Sequence, residues 1–278
     1  MSRAAGSPCV IVQRMGLYVA NPLHGCYAKL ARAERHLAEL ESLIATWRQV
    51  GELDEVRGVY DEARGTWTLL APDPGPPPIE IGAVVGDLLH NLRTCLDQLV
   101  AGLVRSDGGK RGMNTKFPFA RTEADWTRAT RPPKGALTGI SAHHLAVLHR
   151  HQPIDDPKGV LAGLQVMSNA EKHALFLPTL LAVTRVVVTN GAEFPHSFLM
   201  RDGDLLTPGS PMIEFEVPID RLDLVAVAVG TQVAFAQAEG TLEPVGRLAD
   251  LRIFVALVRN LLAEFAVTGE LPRSDPSR

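Results

Sequence analysis

The sequence predicts an α+β protein, a helical bundle combined with a small antiparallel β-sheet and a C-terminal helix. Two amphipathic stretches with apolar residues at three- and four-residue steps indicate long helices before residue 105. After residue 176, runs rich in β-branched residues indicate strands, and a further amphipathic stretch closes the chain. This order of elements is typical of the α+β class.

The first predicted helix extends from about Tyr27 to Gln49, and a short hairpin follows it. One apolar stripe carries the helix prediction: Leu30, Ala33, Leu37, Leu40, Ile44 and Trp47. Two β-like runs lie around Val56–Tyr60 and Thr66–Leu70, with Asp61–Gly65 as the turn between them. The proline-rich run Pro72–Pro78 predicts an extended connector, because proline cannot continue a helix.

A second long helix is predicted from about Ile81 to Val104. The next segment, Arg105–Lys134, is predicted to be irregular and is rich in positive charge, with eight Lys or Arg residues and three acidic residues. If the partner of the chain is RNA, this segment would supply phosphate contacts. Short helices are predicted at Ser141–Arg150 and Gly159–Ala174.

The last hundred residues are predicted to form strands and a closing helix. The strand predictions fall on Ala182–Thr189, Met212–Val217 and Leu224–Val233, and the helix on Pro244–Val267. We therefore predict one domain over residues 1–278. Its first part, residues 25–175, would be a mainly helical core with a short hairpin, and residues 176–270 a β-rich part closed by the helix.

Composition narrows the class of function. A net charge of −3 disfavours a general nucleic-acid binder, so such a partner would need a local basic patch. No apolar run is long enough to cross a membrane. Three cysteines without paired spacing indicate reduced thiols in a cytoplasmic protein. No glycine-rich nucleotide-binding signature is present, so no cofactor is predicted. Arg outnumbers Lys by 22 to 6, which suggests a GC-rich bacterial genome.

The most function-like feature is one polar face of the second helix, from His90 to Gln98. At about 100° per residue, one broad face collects several polar side chains: Asp87, His90, Asn91, Arg93, Thr94, Asp97 and Gln98. A solvent-facing helix usually recruits Lys and Glu, and this face contains neither. Short hydrogen-bonding side chains in their place indicate either a site or a polar network that only fixes helix packing.

A second polar stripe lies on the helix predicted at Gly159–Ala174. Gln165, Asn169 and His173 recur at four-residue steps, and Lys172 lies beside them. If the two polar faces meet, one cluster forms from the six candidate site residues: His90, Arg93, Asp97, Asn169, Lys172 and His173.

At these positions the sequence resembles a widespread, largely uncharacterised bacterial family. The shared pattern is GDLLHNLRTCLDQL at Gly86–Leu99, FPF at Phe117–Phe119, QP at Gln152–Pro153 and SNAEKH at Ser168–His173. It covers roughly residues 25 to 175. The resemblance brings little functional knowledge with it, so the residues themselves have to indicate the chemistry.

More distantly, the same helix is similar to the HEPN superfamily, helical proteins that include metal-independent ribonucleases. Their motif places Arg, a polar residue and, a few positions later, His on one helix. Arg93 and Thr94 match its start, whereas Gln98 stands where His is expected. The resemblance implies RNA or nucleotide binding or processing by a homodimer. Because Gln cannot shuttle a proton, either His90 or His173 substitutes or the chain is a non-catalytic relative.

Three interpretations of the candidate residues remain open. In RNA cleavage through the 2′-hydroxyl, His90 and His173 are the acid–base candidates. Arg93 and Lys172 would then stabilise the phosphate charge, and Asp97 would orient a histidine. Alternatively, His90, Asp97 and His173 could hold a divalent metal. The third interpretation is a non-catalytic interaction or ligand-sensing protein in which the polar helix faces are structural.

Overall fold

The computed structural model describes residues 22–51, 57–73, 75–156, 158–172, 176–189, 196–199, 204–216, 226–237 and 244–267. These residues form helices and two antiparallel sheets, which confirms the predicted α+β class. Two sheets are present where a single small one was predicted. The chain divides into two compact units: residues 1–35, 87–168 and 252–278 in unit 1, and residues 36–86 and 169–251 in unit 2.

Both long helices predicted from the apolar stripes are present in the structure. The described residues form six helices: α1 (His24–Val50), α2 (Glu80–Ser106), α3 (Glu123–Thr130), α4 (Ala142–Arg150), α5 (Val160–Ala170) and α6 (Leu248–Val267). The hydroxyl of Ser141 caps α4 by accepting from the backbone N–H of His144, which explains why this helix begins where the sequence indicated.

The structure corrects three helix predictions. Helix α3 lies inside the segment predicted to be irregular, because the hydroxyl of Thr122 caps it by accepting from Asp125 N at 3.1 Å. Helix α5 ends at Ala170, earlier than predicted, and residues 173–175 lie outside the described residues. Helix α6 begins later than predicted, because the residues from Pro244 to Arg247 form a strand.

The strands lie in unit 2. They are β1 (Arg57–Asp61), β2 (Thr66–Leu70), β3 (Phe176–Thr189), β4 (His196–Phe198), β5 (Pro211–Glu216), β6 (Ala226–Gln237) and β7 (Pro244–Arg247). One sheet has the order β1-β2-β5-β4 and the other β3-β6-β7. The predicted first hairpin is confirmed, with Val59 opposite Thr68 and Gly65 at a φ of 66° in the turn. That φ suits glycine, which has no Cβ to clash.

Packing of α2 decides which of its side chains reach the candidate site. In unit 1 its apolar stripe is completely buried: Leu88, Leu92, Leu96, Leu99 and Leu103 are each 0% exposed. Burial of this stripe is the main favourable contribution of the helix to folding. Since His90, Arg93 and Asp97 lie beside the stripe, they are left at the surface or at its margin.

Candidate functional site

Arg93 and Asp97 of α2 hold a short segment that has no regular secondary structure. Arg93 Nη2 donates to the carbonyl oxygen of Phe117 at 3.1 Å, and Asp97 Oδ1 accepts from Phe117 N at 2.9 Å. The two side chains also contact each other, with 3.5 Å between Nε and Oδ2. Their four-residue spacing places them on one side of the helix, where together they satisfy both backbone groups of one residue.

The rings of Phe117 and Phe119 complete this arrangement. Phe117 is 0% exposed, and its ring centroid lies 5.3 Å from that of Phe119 in an edge-on arrangement. The guanidinium carbon of Arg93 lies 4.3 Å from the centroid of the Phe119 ring, within the range of a cation–π interaction. Arg93 is thus engaged by a carbonyl, a carboxylate and an aromatic ring, which gives it a structural role at this position.

The remaining polar residues of the α2 face have separate environments. His90 is exposed, and its Nε2 lies 3.4 Å from the hydroxyl of Thr94. Asn91 is 6% exposed. Its side-chain amide donates to Asp87 O at 2.7 Å and accepts from Lys29 Nζ of α1 at 3.3 Å. No carboxylate among the described contacts orients His90.

Gln98 occupies the position where the HEPN-like pattern has histidine. Its Oε1 is buried without a hydrogen-bond partner and packs directly against Gly25. A Cβ at position 25 would overlap the amide in this position, so the Gln98 side chain would have to shift if Gly25 were replaced. The end of this side chain therefore faces the start of α1, so position 98 is used for helix packing.

The second predicted polar stripe is divided between the two units. Gln165 belongs to unit 1, and its Oε1 accepts from Arg121 Nε at 3.0 Å. Asn169 and Lys172 belong to unit 2, where both are exposed and the Lys172 ammonium donates to Asn169 Oδ1 at 3.4 Å. His173 lies outside the described residues. The meeting of Asn169, Lys172 and His173 with the α2 face therefore stays a prediction.

The residues around Phe117, which Arg93 and Asp97 hold, belong to a longer stretch of the chain with concentrated positive charge. We call residues 105–134 the basic segment, since its eight cationic side chains are all exposed: Arg105, Lys110, Arg111, Lys116, Arg121, Arg128, Arg131 and Lys134. Three of them have described partners, because Arg105 donates to Pro22 O, Arg121 to Gln165 and Arg128 contacts Asp125. The other five have no side-chain partner among the described contacts, and we call them the loop cations: Lys110, Arg111, Lys116, Arg131 and Lys134.

Each acidic residue of the basic segment contacts a residue other than the loop cations. Asp107 contacts His144, and Glu123 lies 3.2 Å from His149 Nε2. Asp125 accepts from the Thr122 hydroxyl at 3.0 Å. That hydrogen bond is the main reason why the pKa of Asp125 is lowered, and it is aided by the nearby Arg128. The acids of the segment therefore leave the loop cations uncompensated.

Asp107, near the start of the basic segment, and His144, in α4, form a buried contact that anchors the segment. Both Asp107 oxygens lie 2.9 Å from His144 Nδ1, and the two side chains are only 11% and 7% exposed. Asp107 Oδ2 also accepts from Ser141 N at 2.7 Å. A Ser–His–Asp relay needs hydroxyl and carboxylate on opposite ring nitrogens, whereas the Ser141 hydroxyl also faces Nδ1, at 3.2 Å. The trio is therefore an anchor for the start of α4.

Two amides provide further attachment points. Gln152, which is 8% exposed, accepts from Ala120 N at 3.0 Å and donates to Leu148 O at 3.2 Å. Asn114 donates to Lys134 O at 3.3 Å and so links the interior of the basic segment to its last residue. Sequence reasoning did not identify these anchors. Gln152 had a signal in the QP pair of the family pattern, whereas Asp107 and Asn114 had none.

The histidines at the end of α4 and just after it have separate partners. His149 packs edge-on against Trp126, with 4.9 Å between ring centroids, and His151 Nε2 lies 3.1 Å from Glu264 Oε1. The contact with His151, assisted by Arg150, holds the pKa of Glu264 below its usual range. No group of three or more potential metal ligands comes together within the part of the chain that the structure describes.

Comparison with known proteins gives no family assignment. No protein-family model, no curated protein and no solved structure matches this chain. Among the described residues, no helix is long and apolar enough to span a membrane. The resemblance to a bacterial family and to the HEPN superfamily therefore stays a prediction made from the residues.

We expect Arg93→Ala to lower the free energy of unfolding by about 2–3 kcal/mol. The variant loses a charged hydrogen bond to a backbone carbonyl, a four-residue ion pair and a cation–π contact. Urea denaturation monitored by circular dichroism measures the change. Arg35→Ala is the matched control, because Arg35 is exposed on α1 and should change stability by less than about 0.5 kcal/mol. Equal effects of the two substitutions would contradict the structural role of Arg93.

Proposed function

We propose that the chain binds single-stranded RNA without cleaving it, and that the loop cations form the binding surface. The observation that carries the proposal is the set of five exposed cations that have no side-chain partner among the described contacts, on a segment whose own acids contact other residues. Phosphate groups are the natural counterpart of such a surface, because neutralising them releases condensed counterions.

The distribution of charge supports a local surface. The whole chain has 28 cationic and 31 acidic residues, and the basic segment has 8 and 3 of these. The remainder therefore has 20 cationic and 28 acidic residues, a net charge of −8 against +5 for the segment. A polyanion would be repelled by most of the chain and attracted to this one surface.

The environment of the α2 face argues for binding without cleavage. Arg93 is engaged by Phe117, Phe119 and Asp97, so it is not free to stabilise a pentavalent phosphate. Gln98 stands where the HEPN-like pattern requires histidine, and its amide oxygen is buried. Among the described residues, these positions supply no complete acid–base pair.

The choice of single-stranded RNA rests on two supports. The HEPN-like resemblance of the Arg93–Gln98 helix points to RNA. In addition, the half-buried rings of Phe119 and Trp126 lie within the basic segment, and stacking of unpaired bases on the exposed parts of such rings is a common mode of single-strand recognition. A mononucleotide presents too few phosphates to engage five separated cations, so it should compete weakly.

Fluorescence anisotropy with a labelled single-stranded RNA tests the proposal. We expect affinity to fall steeply with salt, with a slope of log affinity against log salt of about −3.5, because five contacts contribute about 0.7 each. Gel analysis of the same samples should show intact RNA. Absence of binding at low salt, a slope near zero, or cutting of the RNA would contradict the proposal.

We propose as a second candidate a non-catalytic interaction protein with an acidic protein partner. The contacts that engage Arg93 and Asp97 and the five exposed loop cations support this candidate as well. It replaces the first candidate if RNA fails to bind. Either candidate is compatible with three further predictions from the sequence: a HEPN-like bundle, a homodimer and a location in the bacterial cytoplasm. Light scattering coupled to size-exclusion chromatography tests the dimer.

A further inference from the structure

Two cysteines that are distant in sequence come together inside unit 1. Cys26 lies in the first turn of α1 and Cys95 in the middle of α2, and both are 0% exposed. The thiol of Cys95 donates to the carbonyl oxygen of Cys26 at 3.3 Å. The two positions are separated by 69 residues, so no spacing rule in the sequence could have paired them.

The residues just before α1 approach the backbone of α2 closely. A Cβ at Gly102 would lie 2.6 Å from Pro22 O, so only glycine allows the residues before α1 to rest on α2. Gly25, next to Cys26, contacts the end of the Gln98 side chain. By standard bond lengths, the hydrogen bond places Cys95 Sγ within about 6 Å of the Cys26 Cα. A disulfide holds its two Cα atoms about 4.4–6.8 Å apart, and the contact between Cys26 and Cys95 makes them the neighbours that such a bond would join.

The two thiols differ in their chemistry. The neighbouring Cys95 side chain is the main cause that lowers the pKa of Cys26, and the positive charge of Arg105 acts in the same direction although burial opposes both. The pKa of Cys95 is raised, first by its interaction with Cys26 and then by burial. Cys26 is therefore the better nucleophile, and Cys95 retains its proton.

We propose that Cys26 and Cys95 are an oxidation site that forms an intramolecular disulfide when a peroxide is the oxidant. The Cys26 thiolate attacks one peroxide oxygen, the O–O bond breaks, and protonation of the leaving oxygen gives water and a Cys26 sulfenic acid. The Cys95 sulfur then attacks Cys26 Sγ, and the hydroxyl leaves as a second water with the proton of Cys95. Two thiols are oxidised and one hydrogen peroxide is reduced.

Mass spectrometry of the oxidised full-length chain tests this site. The reduced protein is treated with hydrogen peroxide in native buffer, alkylated and digested with trypsin without reductant. Trypsin separates the three cysteines onto the peptides 4–14, 15–29 and 94–105. We expect a cross-linked product of peptides 15–29 and 94–105, lighter than their sum by two hydrogen atoms, and a matching loss of their alkylated forms.

Two controls separate this site from general thiol oxidation. Cys9→Ser should leave the cross-link unchanged, and the same treatment in concentrated urea should give mixed pairings that include Cys9. Dithiothreitol should restore both alkylated peptides. Separate oxidation of Cys26 and Cys95, a cross-link to Cys9 in native buffer, or the same mixture of products with and without urea would overturn the proposal.

Discussion

A triple charge reversal of the loop cations, Lys110→Glu, Arg111→Glu and Lys134→Glu, should weaken single-stranded RNA binding by roughly 100-fold. The three side chains are exposed and have no acidic partner among the described contacts, so their replacement should not disturb folding. The salt slope should fall from about −3.5 to about −1.4, because three contacts of about 0.7 each are lost. Fluorescence anisotropy over a salt series measures both quantities.

The matched control reverses three exposed cations outside the basic segment, Arg32→Glu, Arg35→Glu and Lys158→Glu. These residues also lie in unit 1 and also have no partner among the described contacts. The two triple variants therefore share the same net charge, and only the location of the change differs. We expect the control to keep most of its affinity and its salt slope. Equal losses in both variants would mean that net charge, and no local surface, governs binding.

Asp107→Ala should be the most destabilising single substitution considered, with a loss of about 3–5 kcal/mol in the free energy of unfolding. Its carboxylate is the common partner of His144 Nδ1 and Ser141 N in a site where the side chains are 11% and 7% exposed. Removing one member of a buried pair leaves the others without partners, and that penalty exceeds the value of the pair itself. Urea denaturation measures the loss.

Glu123→Ala provides the contrast for Asp107→Ala within the same basic segment. Glu123 also contacts a histidine, His149, but its side chain is 66% exposed. Solvent screens such a pair, so we expect a change below about 0.5 kcal/mol. Backbone hydrogen exchange in the first turn of α4 should also be faster in Asp107→Ala and unchanged in Glu123→Ala. A small effect of Asp107→Ala on stability, or unchanged exchange in the first turn of α4, would contradict the anchoring role of Asp107.

Local periodicity predicted the elements of the fold that depend on neighbouring residues. The buried stripe of α2, from Leu88 to Leu103, is an i, i+3 or i+4 pattern that one sequence contains in full. The Arg93–Asp97 contact has the same four-residue spacing. Helix α3 was missed because charge and proline content outweighed a capping signal, Thr122 followed three positions later by Asp125.

The partners of the candidate residues could not be predicted, because they are distant in sequence. Phe117 lies 24 positions beyond Arg93, and His144 lies 37 positions beyond Asp107. Long-range packing determines the path of a loop, and no periodic pattern encodes it. The sequence therefore indicated a polar face of α2, and the structure shows that Arg93 and Asp97 of that face hold the segment around Phe117.

The RNA affinity of Arg93→Ala tests the central claim most directly, because the two accounts of Arg93 predict opposite results. If Arg93 only positions the basic segment, the folded variant keeps an affinity within about threefold of the wild type, since the loop cations remain and the anchors at Asp97, Asp107 and Gln152 still hold the segment. Circular dichroism confirms that the variant is folded under the conditions of the assay. Loss of RNA binding by a folded Arg93→Ala protein would contradict the account and make Arg93 a phosphate-contacting residue.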